Sequence, residues 1–430
     1  MSYVNPILFH IIIYIFLNHF LIFIINKHRS GHIICPHIFY NKKLRFVDES
    51  WDTQKLGNIC KITMGQSPSS SNYSENKEDT VLIQGNADLI NGEVVPRVYT
   101  SEITKTSKPG DIILTVRAPV GDLAINEFNS CIGRGVCSIE GDKFIYYFLQ
   151  SLKDKHVWER LSQGSTFESI NSNDIKNLKI KMPSEKTQKS ISNFLTSIDI
   201  KIRLLEKKYD YYQDFKKFLM QQIFAQKLRF GFDDEWKEIK LNEVLKERKN
   251  YAKINEYPHV TLSKEGIHPK TERYNRNFLV KDDNKKYKIT HFGDICYNPA
   301  NLKFGVITMN KFGTAIFSPI YITFEVNNIN KEFLAYYLIR NDFINKVRRF
   351  EEGTVYERMA VKPSDFLNER IFIPTLQEQE KIADLLLNVD LKIEAIKNQL
   401  TDVIKFKKGL LQQMFDNMPL LFKFNIIINK

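Results

Sequence analysis

Catalytic signatures are missing from this sequence. There is no GxxxxGK(S/T), hence no phosphate-cradling loop and no ATP-driven translocation by this chain. No GxGxxG follows a strand pattern, and no HExxH occurs. Cysteines are few and scattered: Cys35, Cys60, Cys131, Cys137 and Cys296. They form no CxxC, and no nearby histidine completes a zinc pattern, so no metal site is expected. An odd, dispersed set argues for reduced thiols in a cytoplasmic protein.

Two further features fall short of chemistry. Asp233/Asp234 and Asp282/Asp283 are paired carboxylates, but each pair sits beside lysine or turn residues and reads as a solvated loop. NPAN (298–301) is similar to the NPP-aromatic loop with which amino-methyltransferases hold a flipped base. It lacks the second proline and the aromatic, and no nearby glycine-rich strand could hold a methyl donor. It reads as a turn, and no catalytic residue is assigned.

What the chain does have is positive charge, length and repetition. Its 430 residues suggest two or three domains, each able to bury a core. A formal net charge of +12 favours a polyanionic partner, either nucleic acid or an anionic membrane surface. A lysine-rich, AT-biased coding sequence would give the same balance. The segment 6–26, PILFHIIIYIFLNHFLIFIIN, is long and apolar enough to span a bilayer. It lacks the basic start and cleavage site of a signal peptide, and His10, Asn18 and His19 lie within it. Three readings stand: an anchor, a buried helix, or translation begun upstream of the natural start. The last is preferred, because the segment has no counterpart in the repeat. The tail 420–430 is given no function.

FKKFLMQQIF (215–224) returns as FKKGLLQQMF (406–415), a spacing of 191 from 215 to 406. The same spacing relates Pro183 to Pro374, Gln188 to Gln379 and Asp199 to Asp390. Upstream, LRFVDESWDTQKLGNI (44–59) resembles LRFGFDDEWKEIKLNEV (228–244), pairing Trp51 with Trp236 and Leu56 with Leu241. So distant a repeat indicates two copies of a domain-sized unit rather than a solenoid. Between these phrases identity falls away. The landmarks KPGDIILTVRAPVGDLAI (108–125) and HFGDICYNPANLKFGVIT (291–308) still correspond. Each half has a constant start, a diverged middle and a constant end. Two diverged middles in a shared frame suggest two related modules reading different things.

The constant ends predict long helices. Ile191, Leu195, Ile198, Ile202, Leu205, Tyr209, Tyr212, Leu219 and Ile223 form a heptad seam, interrupted by Lys216. Ile382, Leu386, Val389, Ile393, Ile396, Leu400, Val403, Leu410 and Met414 repeat the register, interrupted by Lys407. The economical solution is that the two helices pair as an antiparallel coiled coil, a rod on the order of 60 Å long at 1.5 Å per residue. The alternative is two amphipathic helices, each packed on its own domain. The middles read as mixed α/β. VLIQGN (81–86), DIILTV (111–116), GVCSI (135–139), DICYN (294–298), GVITM (305–309) and PIYITFEV (319–326) predict strands. The stretches 143–161 and 331–350 each predict a helix with one apolar face.

Within the middles, binding chemistry clusters. GQSPSSSNY (65–73) offers hydroxyls, amides and one aromatic; IQGN (83–86) and VRAPVG (116–121) add amides and Arg117. GRG (133–135) sets Arg134 between glycines, where backbone could approach a phosphate. LSKEGIHPKTERYNR (262–276) concentrates Lys264, Lys270, Arg273 and Arg276, and Lys303 adds charge nearby. Arginine and lysine suit guanine edges and phosphates; asparagine and glutamine suit adenine. Any one of these residues alone reads as an exposed surface side chain.

In this order and duplicated, these features resemble the DNA-specificity (S) subunits of type I restriction–modification systems, over roughly residues 44–418. The residues that carry the resemblance are LRF…W…KLG and its copy, GQSP…Y, VRAPVGD, GDICYNPANLKFG and the twice-used QxxI…FKK.L.QQ.F phrase. Segment 1–43 departs from it. The resemblance implies an α+β architecture. Two target recognition domains (44–183 and 228–374) would be separated by spacer helices (184–227 and 375–418), with an N-terminal extension 1–43 and a tail 419–430. It implies a bipartite double-stranded DNA target, one half read by each domain, with the helical rod setting the gap. The implied partners are two methyltransferase (modification) subunits and restriction or motor subunits, with the membrane not among them. S-adenosylmethionine, ATP and magnesium are expected only in those partners. Candidate DNA contacts are Gln66, Ser67, Tyr73, Arg117 and Arg134 in the first domain. In the second they are Lys264, Lys270, Arg273, Asn298 and Lys303. Gln221, Gln222, Gln412 and Gln413 are structural or partner-facing. Two competing roles remain: a membrane-anchored coiled-coil scaffold, and a specificity domain serving a restriction enzyme of another type.

Overall fold

The computed structural model describes residues 51–162, 169–253, 256–270, 286–351 and 360–415. The described residues form two compact units, one of 51–198 with 406–415 and the other of 199–405. The first unit therefore takes in the end of the second repeat's helix, and the second unit takes in the end of the first.

Each unit closes its own start onto its own end. Asp52–Lys55 pairs antiparallel with Lys179–Met182, Asp52 opposite Met182. Lys237–Lys240 pairs with Arg370–Ile373 in the same way, Lys237 opposite Ile373. Between these bookends the first unit folds a six-stranded and a five-stranded sheet. Ile112–Thr115 runs between Val136–Glu140 and Leu123–Ile125, and all four of its residues are buried. The second unit has a four-stranded sheet in which Ile295–Tyr297 lies between Ile307–Met309 and Ile322–Val326. All six predicted runs contain a strand, since β-rich residues bounded by turn formers suit a doubly covered sheet.

The GD landmarks are structural. Gly110 and Gly293 have φ of +94° and +85°, a region that disfavours side chains. Each donates its N–H to an asparagine carbonyl, Asn126 at 2.7 Å and Asn310 at 2.8 Å. The aspartate that follows then binds the turn. Asp111 accepts from Lys108 N and Ser138 Oγ at 2.8 Å each, and Asp294 accepts from His291 N at 2.8 Å. Asp294 also holds Arg248 through two bonds of 2.9 and 3.0 Å, which push the guanidinium's pKa further up.

The helices expected at 143–161 and 331–350 are each broken in two. The first becomes Lys143–Asp154 and Val157–Ser162, parted at His156 with φ +53°. The break turns Trp158 fully inward, over Gly121, where an added Cβ would lie 2.4 Å from the indole. The second becomes Lys331–Leu338 and Asn341–Arg348, with Arg340 extended between them. In the second, the apolar stripe survives the break because both pieces face the same core; periodicity alone did not register the corner.

The long helices are Glu185–Phe224 and Leu376–Phe415, each 40 residues and offset by the same 191 at both ends. The first contains no glycine or proline. The paired prolines and glutamines form one start device. Gln188 Nε2 donates to the Pro183 carbonyl at 2.8 Å, and Gln379 Nε2 to that of Pro374 at 2.9 Å. Every named seam position from Ile191 to Leu205 and from Ile382 to Ile396 is buried except Ile202, which is half-buried. In the second unit Leu219 and Ile223 share one core with Ile382, Leu386, Val389 and Ile393. Lys216 meets Asp390 at 2.6 Å, while Arg229, further along, meets Glu378 at 2.6 Å. Partner numbers fall as these rise, so the helices run antiparallel. The lysine interruptions are polar contacts: Lys216 lies 5.2 Å from the Tyr336 ring and the buried Lys407 5.3 Å from that of Tyr147.

The repeated phrase ends in a phenylalanine that docks by the same chemistry in each unit. Phe224 meets Tyr337 at 5.4 Å, Phe333 at 5.8 Å and Trp236 at 6.3 Å. Phe415 meets Phe144 at 5.3 Å and Phe148 at 5.9 Å, and Phe144 in turn meets Trp51.

Candidate nucleic-acid interface

In the first unit, separate loops converge on a cleft of about 480 Å³. Its lining includes the hydroxyls of Ser67, Ser70 and Tyr73, the amides of Gln84 and Asn86, and Arg117 and Arg134. None of its lining residues is acidic. Among the described residues neither guanidinium has an ion-pair or hydrogen-bond partner, and both are exposed. Two such exposed cations beside amides and hydroxyls suit an anionic backbone and base edges.

The loops are held firmly. Glu102 accepts from Ser69 N and Asn72 Nδ2, both at 2.8 Å, which anchors the 65–73 loop and holds the Glu102 carboxyl below its usual range. Arg117 leaves the end of Ile112–Thr115, its backbone bridged to Ser169. Arg134 N donates to Ser67 Oγ at 3.1 Å, tying the GRG turn to the serine loop. The glycines of that turn serve the protein's own backbone rather than a phosphate. A Cβ on Gly135 would stand 2.1 Å from the Gln84 carbonyl oxygen, and one on Gly65 the same distance from that of Gly133.

Four of the five sequence candidates in this unit therefore come together: Ser67, Tyr73, Arg117 and Arg134. Gln66 is exposed but outside the cleft lining, its carbonyl taken by Thr104 Oγ1. IQGN stands out in the sequence for its amides; the fold brings Gln84 and Asn86 into the cleft lining.

The second unit brings fewer of its candidates together. Lys264 and Lys303 are exposed, and the Lys264 stem lies 3.8 Å from where a Gly305 Cβ would be. Lys303 sits 5.2 Å over the ring of Phe304, itself 61% exposed. Lys270 is half-buried, its N–H bonded to the His259 carbonyl. Asn298 is buried: its Oδ1 accepts from Ala300 N at 3.1 Å, so it builds the NPAN turn rather than offering an amide to solvent. Arg273 and Arg276 lie outside the described residues. Among the described residues no cluster of histidine, cysteine or carboxylate could hold a metal.

A family model for the type I restriction modification DNA specificity domain matches twice, at 48–210 and 233–405. The putative type I restriction enzyme MjaX specificity subunit of Methanocaldococcus jannaschii is 35% identical over 199 residues, 44% of this chain and 46% of that protein. The MjaIX specificity subunit of the same organism is 21% identical over 408 residues, 86% of this chain and 93% of that one. Among solved structures, the type I restriction–modification S subunit from M. genitalium shares the fold with a TM-score of 0.59 at 18% identity. That match covers 88% of this chain and 99% of the other.

Proposed function

This chain belongs to the type I restriction modification DNA specificity family, and on that premise we propose that it is the non-catalytic DNA-reading subunit of such a system. Each diverged middle reads one half of a bipartite double-stranded target. The antiparallel helices set the unread gap between the halves. The observation that carries this reading is the first unit's cleft, where Arg117 and Arg134, whose guanidinium groups have no partner among the described residues, share a lining with amides and hydroxyls. Lys264, Lys303 and the exposed Phe304 offer the corresponding cationic surface in the second unit.

The partners are two modification subunits and a restriction or motor subunit, and they bring S-adenosylmethionine, ATP and magnesium. Equivalent exposed apolar residues on the two helices support two like docking faces. Ile200 is 46% and Leu391 54% exposed, and they are 191 residues apart. The cytoplasm is the compartment: the four described cysteines are free and buried. The scaffold alternative gains no support, since both middles, which it leaves unexplained, carry the family match. Segment 6–26 lies outside the described residues, and among those described no helix is long and apolar enough to cross a membrane.

The test is to express the chain with its methyltransferase subunit in a methylation-free host and map adenine methylation across the genome. A single motif with two specified parts around a fixed gap is expected. No motif, from protein that still binds the methyltransferase, refutes the reading. Within a positive result, Arg117→Ala is expected to change base preference in one part only; equal weakening at all sequences would mark a plain phosphate contact.

A further inference from the structure

Gln84 follows the strand Thr80–Ile83, which is paired in parallel with Ser130–Ile132. Its backbone is fixed: Gln84 N and Gly85 N donate to the buried Asp88 carboxylate at 2.8 and 3.2 Å. The GRG turn crosses it so closely that only glycine fits at 135. Among the described residues its side chain, by contrast, makes no hydrogen bond. Nε2 is buried without a hydrogen-bond partner in a residue that lines the cleft, and no bond to Oε1 is present among the described residues.

A buried amide donor with no acceptor is a standing cost that folded proteins rarely keep. Here rotation about the side-chain torsions, which breaks no hydrogen bond, would bring the amide into the cleft and relieve that cost. Side-chain rotamer changes of this size are common on binding. Once turned, a free donor and a free acceptor on one planar group match one base edge in particular. Adenine presents N7 as acceptor and N6–H as donor in the major groove, whereas guanine presents two acceptors. Arg117 and Arg134 flank the same cleft and suit the neighbouring phosphates or a guanine.

The geometry points to Gln84 as a specificity-determining residue that reads one adenine in the half-site served by the first unit. Nε2 donates to N7 and Oε1 accepts from N6. This rests on the DNA-reading function proposed above.

The experiment is methylation mapping of the full chain with its methyltransferase subunit, comparing wild type, Gln84→Met and Gln84→Glu, supported by oligonucleotide binding at fixed salt. Wild type is expected to require adenine at one position in the part of the motif altered by Arg117→Ala. Gln84→Met is expected to relax that position alone, lowering its preference for adenine by roughly tenfold to a hundredfold, with the other part unchanged. Gln84→Glu keeps the side chain's size and carries the test if methionine disturbs the fold. It removes the donor and is expected to shift the preference at that position toward cytosine. An unchanged motif in both variants overturns the assignment and leaves the DNA-reading function standing, as does uniform weakening at every sequence. A wild-type chain that yields no bipartite motif overturns the function itself.

Discussion

Replacing Phe224 with alanine asks where the first long helix ends its contacts. Its half-buried ring meets Tyr337, Phe333 and Trp236 at 5.4 to 6.3 Å, and the Arg340 guanidinium lies 4.6 Å from its centroid. Truncating a fully buried phenylalanine costs about 3–5 kcal/mol, so partial exposure brings this one to roughly 2–3 kcal/mol. The lost ring pairs and cation contact add about 1 kcal/mol more. A loss of about 3 kcal/mol lowers the melting temperature of a unit of this size by roughly 6–12 °C. Exposed Phe406→Ala, the control, should change stability by less than about 0.5 kcal/mol. Location is the sharper readout. By hydrogen exchange, Phe224→Ala should loosen Lys331–Leu338 and leave Lys143–Asp154 protected, although the helix carrying Phe224 follows the first module in sequence. Phe415→Ala should do the reverse. Loosening of Lys143–Asp154 by Phe224→Ala, with Lys331–Leu338 intact, would refute the crossed docking of the two helices.

Two stability predictions accompany it. Asp294→Asn should cost about 3 kcal/mol by denaturant unfolding, because it leaves the Arg248 guanidinium, 17% exposed, without its buried carboxylate. A change below about 1 kcal/mol would mean that Glu325, 3.9 Å from Arg248, substitutes for it. Gly409→Ala should stabilise by about 0.5–1 kcal/mol: the residue is inside the second long helix, and an added Cβ meets nothing within 4 Å. A lower melting point for that variant would contradict the helical placement of 409.

The repeat, the two long helices and their seam were legible in sequence because heptad periodicity persists over 40 residues and appears twice. The six strands were legible for the same kind of reason, short β-rich runs between turn formers. The broken helices were not, since an apolar stripe continues through a corner without changing its period.

The candidate site was legible by composition and only partly by position. Ser67, Tyr73, Arg117 and Arg134 lie on three segments spread over 68 positions, and nothing local says that they share a cleft. Hydrogen bonding separates Asn298, whose side-chain oxygen is used by a turn, from Gln84, whose side-chain amide makes no hydrogen bond among the described residues. The same holds for the GRG glycines, which by sequence suit a phosphate and in the fold let one loop cross another.

By itself, then, the sequence determined the duplication, the helix starts and the seam register, because these rest on local periodicity and on short capping devices such as Gln188 with Pro183. Tertiary structure decided which unit each helix end serves, which side chains line the cleft, and which polar groups are left without partners. Those depend on contacts between residues far apart in the chain, where burial rather than residue type sets what a side chain is free to do.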